Sequence, residues 1–349
     1  MISRLARLPK VWWGIAALVS VTAYYVLIQD YYNVYVFNRV LLACIGALAL
    51  NVLMGTAGQV SLGNAAFLLV GAFSAVVFLR ADVPFPLDVI LAALFTGLIG
   101  LIAGLPALRL KSLFLALSTL SLHFIANFLA NRYQASVPES ASSGFRVKTL
   151  FASKGLLGGQ HYWAWLLCLI VVLLLLAASR ITRYRTGRAW RMIRDHELVA
   201  ATFGIAVVRY KLGVFVGTSM AVGLAGAVTA HFTGSVQTDG YTLLLAIQFV
   251  AMILIGGLDS VLGAVVGATI VTALPQYVPS WVASVGFIGK NTAAVYGPQI
   301  SQIIYGVLLI IFITASPEGI AGWLRNLRNR ITSALGRGAR DTARRGVER

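Results

Sequence analysis

Residues 186–211 read TGRAWRMIRDHELVAATFGIAVVRYK, a basic segment of helix-forming composition that lies between two long apolar stretches. Eight of the 28 lysines and arginines of the chain fall between Arg180 and Lys211. The stretches on either side carry no Asp, Glu, Lys or Arg over about 20 residues, which is roughly the length of helix that crosses a bilayer core. The segment therefore divides a membrane-embedded chain, and it is the part best suited to contact another protein.

The composition of the whole chain supports the membrane assignment. Apolar residues make up 59% of the 349 residues and charged residues only 11%, and the mean hydropathy is +0.84. These values leave too little polar surface for a soluble globule of this size. We therefore predict an all-α polytopic membrane protein with about ten transmembrane helices, at residues 11–29, 36–54, 60–79, 86–108, 112–130, 162–179, 210–232, 241–257, 260–278 and 299–315.

The distribution of basic residues predicts the orientation. Short cytoplasmic loops retain Lys and Arg, and 21 of the 28 lie before Val11, at 109–111, at 180–211 or after 324. Both termini and the 180–211 loop are therefore expected in the cytoplasm of a bacterial inner-membrane protein, and the 131–161 loop on the periplasmic side. The permease domain would comprise residues 1–323, and the basic tail 324–349 is expected to be disordered.

The net charge of +17 has a simple explanation in this topology. The arginines are dispersed along loops without the interleaved aromatic residues of a nucleic-acid-binding face, so no nucleic-acid partner is expected. The tail instead suits anionic lipid headgroups. No nucleophile and base pair, no metal-ligand spacing and no Walker A string occurs, so we expect no catalytic residue, no metal site and no enzymatic activity in this chain.

The polar residues of the predicted spans are neutral. Carriers driven by protons or sodium usually keep carboxylates at mid-membrane, whereas here the middle of every predicted span lacks Asp and Glu. A neutral lining suits a neutral or zwitterionic solute whose transport is powered elsewhere.

Glycine marks two special segments. The first, GTAGQVSLGN at 55–64, interrupts two spans with three glycines and four polar side chains. Non-helical backbone at membrane depth is tolerated where protein or a water-filled cavity satisfies it, so this is either a turn that lines a pathway or a tight turn packed by small residues. The candidate pathway residues are Asn51, Gln59, Ser61 and Asn64.

A weaker echo, GGLDSVLG, occupies residues 256–263. The two segments would belong to halves duplicated in the same orientation, although repeated small residues alone could produce the match. Glycines spaced by four, at 100/104, 213/217 and 263/267, indicate close helix packing. The predicted structural glycines are Gly55, Gly58, Gly63, Gly256, Gly257 and Gly263.

The 186–211 segment predicts a short helix from His196 to Phe203. Asp195 is a suitable N-cap, Glu197 lies near the positive end of the helix, and Gly204 suits a left-handed stop. Leu198, Ala201 and Thr202 fall on one face, with Val199 and Phe203 beside them. An exposed apolar face on so short a helix predicts a partner with a groove.

With these segments in place, the chain resembles the inner-membrane permeases of ABC importers, and among them the branched-chain amino acid (LIV-type) family. The resemblance rests on GTAGQVSLGNAAFLLVGAF (55–73), LRLKSLFLALSTL (108–120), GRAWRMIRDHELVAATFGIAVVRYKLGVFVGTSMAVGLAGA (187–227) and MILIGGLDSVLGAVVGA (252–268). The chain departs from the family in the 131–160 segment, where a glycine motif of TGG type is usual; only Ser142-Ser143-Gly144 and Gly158-Gly159 could stand in for it.

The resemblance implies a division of labour. The loop helix would be the coupling helix that docks in a cytoplasmic ATPase, with the contact carried by Asp195, Glu197, Leu198, Ala200, Ala201 and Gly204. Two ABC ATPase subunits, a second homologous permease and a periplasmic solute-binding protein would complete the importer. The chain itself would bind no cofactor, and ATP and magnesium would be used by the partner ATPase.

The expected function is thus a permease subunit for branched-chain amino acids. The same machinery could carry urea, short amides or another small neutral solute, and these alternatives stay open. From a different class, a self-sufficient facilitator channel would need no partner and should show a selectivity filter.

Overall fold

The computed structural model describes residues 10–28, 30–107, 112–138, 140, 144–147, 150–151, 155–284, 303–304, 306–307 and 310. Eleven α-helices are delimited in this part of the chain: α1 Lys10–Ile28, α2 Tyr31–Asn51, α3 Asn64–Arg80, α4 Leu87–Ala107, α5 Ser112–Ser136, α6 Gly155–Arg183, α7 Arg185–Asp195, α8 Glu197–Thr202, α9 Val207–Thr233, α10 Leu243–Gly256 and α11 Val261–Ser284. A π-helix, Val52–Thr56, continues α2, and a 3₁₀ turn, Thr238–Gly240, precedes α10.

The apolar helices follow the sequence prediction closely. Within the described residues, six helices are long and apolar enough to cross a membrane, and three shorter apolar helices accompany them at Gly14–Ile28, Asn64–Arg80 and Val261–Tyr277. Each of the nine predicted segments up to residue 278 coincides with one of these helices. The tenth predicted span, 299–315, lies mostly outside the described residues, as do most of the predicted N-terminal cytoplasmic segment and the whole 324–349 tail.

The predicted loops are shorter than expected. Helix α5 continues to Ser136 and α6 begins at Gly155, so both ends of the 131–161 segment are helical. The part between them contributes strand β1, Phe145–Arg146, which pairs antiparallel with β2, Ser235–Val236. This two-residue ribbon is the one departure from the all-α class in the described part, and the sequence analysis missed it because a pair of residues carries no periodicity.

Helices α2 and α9 form the centre of the bundle. The most apolar stretch of the Tyr31–Thr56 span, which α2 begins, is 89% buried. Helix α9 packs against α2, α3 and α4. Small residues permit this packing, because a Cβ on Gly71 of α3 would overlap the backbone of Gly223 on α9, and a Cβ on Gly226 would overlap the backbone of Leu68. The helices therefore approach to backbone contact at glycines outside the predicted pairs.

A buried polar pair links α4 to α9 at the end of the bundle where the β-ribbon lies. Asp88 Oδ2 in the first turn of α4 is 2.5 Å from His231 Nε2 in the last turn of α9, and both side chains are at most 1% exposed. Asp88 lies near the start of the predicted span 86–108, and nothing in the sequence indicated that His231 would be its partner. The pair closes the bundle at this end, opposite the arginine-rich segment.

Candidate functional site

The arginine-rich helices α7 and α8 cross the other end of the bundle, which we call the basic end. Helix α7 is amphipathic, because Gly187, Ala189 and Ile193 are buried while most of its arginines face outward. Trp190 anchors the helix to the start of α9 by donating from Nε1 to the Tyr210 carbonyl oxygen at 3.0 Å. Helix α7 thus lies against the end of the bundle, and α8 follows it directly.

Helix α8 is shorter than predicted, and its N-terminus differs from the prediction. It runs from Glu197 to Thr202, and the residue before it is His196, whose side chain makes no capping hydrogen bond. The predicted N-cap, Asp195, is instead the last residue of α7 and accepts a hydrogen bond from Arg194 Nε at 3.0 Å. The N-cap prediction was wrong because α7 extends one residue too far to leave Asp195 the extended backbone that a cap requires.

The predicted stop at Gly204 is confirmed. Its φ of +77° is left-handed, and the amides of Gly204 and Ile205 donate to the carbonyl oxygens of Ala201 and Ala200 at 3.0 and 3.1 Å. Glycine is favoured here because other L-residues are strained in this conformation. The end of α8 is therefore fixed by the backbone and not by a neighbouring side chain.

The outer face of α8 presents a small apolar surface. Leu198 is 84% exposed and Phe203 is 74% exposed, whereas Ala200 is fully buried and seats the helix against the bundle. Glu197 forms an ion pair with Lys211 at 2.7 Å, which ties α8 to the first turns of α9. Of the six residues predicted for a partner contact, Ala200 could therefore act only from beneath; Asp195, Glu197, Leu198, Ala201 and Gly204 are exposed.

The first glycine string, residues 55–64, is an interruption of helix, as predicted. The π-helix ends at Thr56, residues 57–63 are non-helical, and α3 begins at Asn64, four residues later than the predicted start. Gly58 has a left-handed φ of +70° and its Cα faces the Arg194 side chain. The chain thus enters α3 through a non-helical segment of seven residues.

The four candidate pathway residues are enclosed by the fold of this chain. Asn51, Gln59, Ser61 and Asn64 are between 1% and 4% exposed. Gln59 Nε2 donates to the Lys211 carbonyl oxygen at 3.1 Å, and Ser61 Oγ accepts from the Gly63 amide at 3.2 Å. Several polar atoms here have no hydrogen-bond partner among the described residues: Asn51 Oδ1, Gln59 Oε1, Asn64 Oδ1 and Asn64 Nδ2.

Unpaired polar atoms of this kind are rare in folded proteins because each costs free energy in the interior. Asn51 ends α2, Gln59 lies in the non-helical segment and Asn64 begins α3, so the unpaired atoms cluster in and around one break between helices, a feature that a pathway-lining role would explain. The lining role itself remains a prediction, because the side chains face protein in this conformation.

The second glycine string, residues 256–263, makes a compact turn. Helix α10 ends at Gly256, Gly257 and Asp259 take positive φ values of +102° and +62°, and α11 begins at Val261. Ser260 Oγ accepts from the Gly263 amide at 3.1 Å and caps α11. Gly256 and Gly263 lie in backbone contact, so the two helices leave the turn side by side.

The two strings and α7 meet at Asp259. Thr56 Oγ1 donates to Asp259 Oδ1 at 2.9 Å, and Arg191 Nε donates to Asp259 Oδ2 at 3.2 Å. Arg194 Nη1 donates to the Gly55 carbonyl oxygen at 2.5 Å and lies 3.9 Å from Asp259 Oδ2. We call this cluster the Asp259 junction; it consists of Gly55, Thr56, Arg191, Arg194 and Asp259.

Sequence reasoning missed the junction. It recognised each glycine string, and Asp259 lies within the second, but the partners are 68 and 203 residues away from Asp259 along the chain. The available signal was an isolated carboxylate in an apolar hairpin of a chain with excess arginine. That signal indicates that a partner exists without saying which one.

An apolar groove opens beside α7. Its volume is about 230 Å³, and it lies between α2, α6 and α9 with Trp190 at one side. Gly213 and Gly217 line it, and a Cβ on either would meet no atom of the described residues within 4 Å. The prediction of close packing is therefore wrong for this pair, whereas it is confirmed for the 100/104 and 263/267 pairs.

Comparison with known proteins places the chain in context. A family model described as "Branched-chain amino acid transport system / permease component" matches residues 32–313. The high-affinity branched-chain amino acid transport system permease proteins LivM of Salmonella typhimurium and Escherichia coli are each 23% identical over 296 residues, 78% of this chain and 66% of the relative. A probable branched-chain amino acid transport permease protein LivH of Methanocaldococcus jannaschii is 30% identical over 179 residues, which cover 50% of each chain.

The chain thus spans about two thirds of the length of the two LivM relatives. No solved structure matches the chain significantly.

Proposed function

The chain belongs to the family of branched-chain amino acid transport permease components, and on that premise we propose that it is the membrane-spanning subunit of an ATP-driven importer of branched-chain amino acids. The observation that carries the proposal is the α7–α8 unit. The six-residue helix α8 exposes Leu198, and Phe203 directly after it is also largely exposed. An ion pair and a left-handed glycine hold this surface at one end of the bundle, which suits it to dock in a groove of another protein.

The partner at this surface is proposed to be a cytoplasmic ABC ATPase. Leu198 and Phe203 would enter its groove, with Ala201 beside them and Asp195 and Glu197 at the rim. A pair of ATPase subunits would bind ATP and magnesium and supply the energy, since the sequence of this chain contains no Walker A string. The basic end would then face the cytoplasm of a bacterial inner-membrane protein.

Transport is proposed to follow alternating access. Closure of the ATPase pair would move α8, and the bundle of this chain would rock against that of a second homologous permease. A periplasmic solute-binding protein would deliver the solute to the opposite end. The unpaired side-chain oxygens of Asn51, Gln59 and Asn64 are acceptors, and the unpaired Nδ2 of Asn64 is a donor. This combination suits a zwitterion passing between the subunits.

Uptake measurements test the proposal. Cells with and without the gene would be given labelled leucine or labelled urea, with and without vanadate, which blocks ABC ATPases. We expect the gene to be required for vanadate-sensitive leucine uptake. Loss of urea uptake alone would be consistent with an ABC importer whose solute is urea. Gene-dependent uptake that is insensitive to vanadate would contradict the ATP-driven importer and favour a facilitator channel.

The contact surface has a separate test in Gly204→Val. A β-branched residue in the left-handed region costs about 1–2 kcal/mol or more, so the end of α8 should be displaced while the membrane bundle remains. We expect loss of leucine uptake with normal amounts of protein in the membrane. Gly204→Asn is the control, because asparagine tolerates this conformation. Normal uptake by the valine variant would contradict a role of α8 in transport.

A further inference from the structure

We propose that the Asp259 junction is the joint through which movement of α8 reaches both glycine strings at once, and that Asp259, Arg191 and Arg194 are positioning residues for transport. The inference rests on the proposed function, because it assigns a role to contacts that lie behind the ATPase-docking surface.

The first step of the argument is the continuity of α7 and α8. Only His196 separates the last residue of α7 from the first residue of α8. A force applied to the exposed face of α8 therefore acts on the end of α7 that carries Arg191 and Arg194. These arginines are three residues apart on one helix, so their side chains project from neighbouring positions of the same face.

The second step is the use that the junction makes of one carboxylate. Asp259 Oδ1 accepts from Thr56 of the first string, and Oδ2 accepts from Arg191 of α7. Arg194 adds a hydrogen bond to the Gly55 carbonyl oxygen and packs across Gly58. Arg191 thus holds the second string and Arg194 holds the first. Removing the carboxylate would disconnect the second string from Arg191 while Arg194 still reached the first.

The third step is that the strings also touch each other directly. A Cβ on Gly55 would overlap the backbone amide of Asp259. The connection between α2 and α3 therefore cannot shift far without displacing the connection between α10 and α11. A single lever at this point would move two helical hairpins together, which is the requirement for a concerted change of access.

The partial exposure of the junction suits contacts that rearrange during transport better than contacts that hold the fold rigid. The side chains of Arg191, Arg194 and Asp259 are between 30% and 36% exposed. Ion pairs at this depth contribute modestly to stability and can be broken and remade, unlike the enclosed Asp88–His231 pair at the opposite end. We therefore expect the junction to affect coupling more strongly than folding.

The experiment uses the assembled importer, copurified with its ATPase and second permease and reconstituted in proteoliposomes, with leucine uptake and ATP hydrolysis measured on the same preparation. Asp259→Asn removes the charge but keeps an oxygen for Thr56, and asparagine tolerates the positive φ. Arg191→Gln removes the other partner. Arg188→Gln is the matched control, because Arg188 lies on the same helix and, among the described residues, the hydrogen bond given for its side chain is to the Arg183 carbonyl oxygen at 3.4 Å.

In Asp259→Asn and Arg191→Gln we expect the complex to assemble and hydrolyse ATP while leucine moved per ATP falls roughly tenfold or more, an ordinary size for an inter-site coupling. Arg191→Lys should restore much of the ratio, because the Arg191 contact to Asp259 is a single hydrogen bond that an ammonium can make. Arg188→Gln should behave as the unmodified protein.

Two results would overturn the inference: an unchanged ratio of leucine to ATP in Asp259→Asn, or an equal fall in Arg188→Gln. If Asp259→Asn fails to accumulate in the membrane, Thr56→Val is tested instead, since it removes one hydrogen bond of the junction and retains the side-chain shape. An unchanged ratio of leucine to ATP in Thr56→Val would also contradict the proposed role of the junction. Failure of the unmodified complex to take up leucine with ATP would instead contradict the proposed function, so the two failures are distinguishable.

Discussion

The two glycine strings, residues 55–64 and 256–263, each connect a helix that arrives at the basic end to one that leaves it, yet they fold differently. The first leaves seven residues outside any helix, and its polar side chains are buried with unpaired atoms. The second closes within four residues, with Ser260 capping the next helix. Glycine content does not separate the two cases.

The difference lies in how each string satisfies the ends of its helices. Helix α11 receives a side-chain cap from Ser260, and the facing glycines bring α10 and α11 into contact. Helix α3 begins after Gly63 without a side-chain cap. The first string therefore remains open to rearrangement, whereas the second is sealed by packing. The following substitutions test this contrast, and they are ordered by the expected change in the free energy of unfolding.

Gly256→Ala should have the largest effect. Its Cβ would overlap the Gly263 carbonyl oxygen, and because backbone cannot move aside as a side chain can, we expect a loss of about 3 kcal/mol. The measurement is unfolding of the purified protein in mixed micelles. Gly217→Ala is the control, since a Cβ there meets open space and alanine favours helix by up to about 1 kcal/mol. Equal effects at the two positions would show that the second string is not sealed by packing.

Gly58→Ala should have an intermediate effect on stability. The left-handed φ costs about 1–2 kcal/mol for alanine, while the Arg194 side chain that it meets is flexible enough to move. Gly58→Asn should be milder, because asparagine tolerates this conformation. If alanine were tolerated as well as asparagine, the left-handed turn would not be what holds the first string.

Ser260→Ala should cost about 1 kcal/mol, the usual contribution of an N-cap. Ser260→Thr keeps the hydroxyl and should stay close to the unmodified stability in the same unfolding measurement. Destabilisation by threonine equal to that by alanine would mean that the cap does not seal the second string.

Asn64→Leu should change stability least, by less than about 1 kcal/mol, because both amide atoms of Asn64 lack partners. Leucine uptake should nevertheless be lost if the first string lines the pathway. The control is Asn38→Leu, since Asn38 Nδ2 bonds to Gln160 at 3.0 and 2.8 Å and its loss should destabilise the fold. Full uptake in Asn64→Leu would indicate that the first string is only a structural turn.

Much of this architecture could be predicted from the sequence because membrane helices depend on local composition. Runs of about 20 apolar residues located nine helices within the described part of the chain, and Gly204 predicted the end of α8. The errors fell where two elements compete for a residue. Asp195 suits an N-cap by type, but α7 includes it; Gly213 and Gly217 have the spacing of a packed pair, but they face a groove.

The sequence by itself determined that the chain is an apolar helical bundle with a basic segment at residues 186–211, because hydrophobic length and glycine stereochemistry act within a few residues. Only the tertiary structure decided that Thr56, Arg191 and Asp259 meet, and that Asp88 meets His231. Hydrogen bonds and ion pairs act over a few ångströms between residues that lie far apart in the chain. Their partners are therefore fixed by helix packing and not by any local pattern.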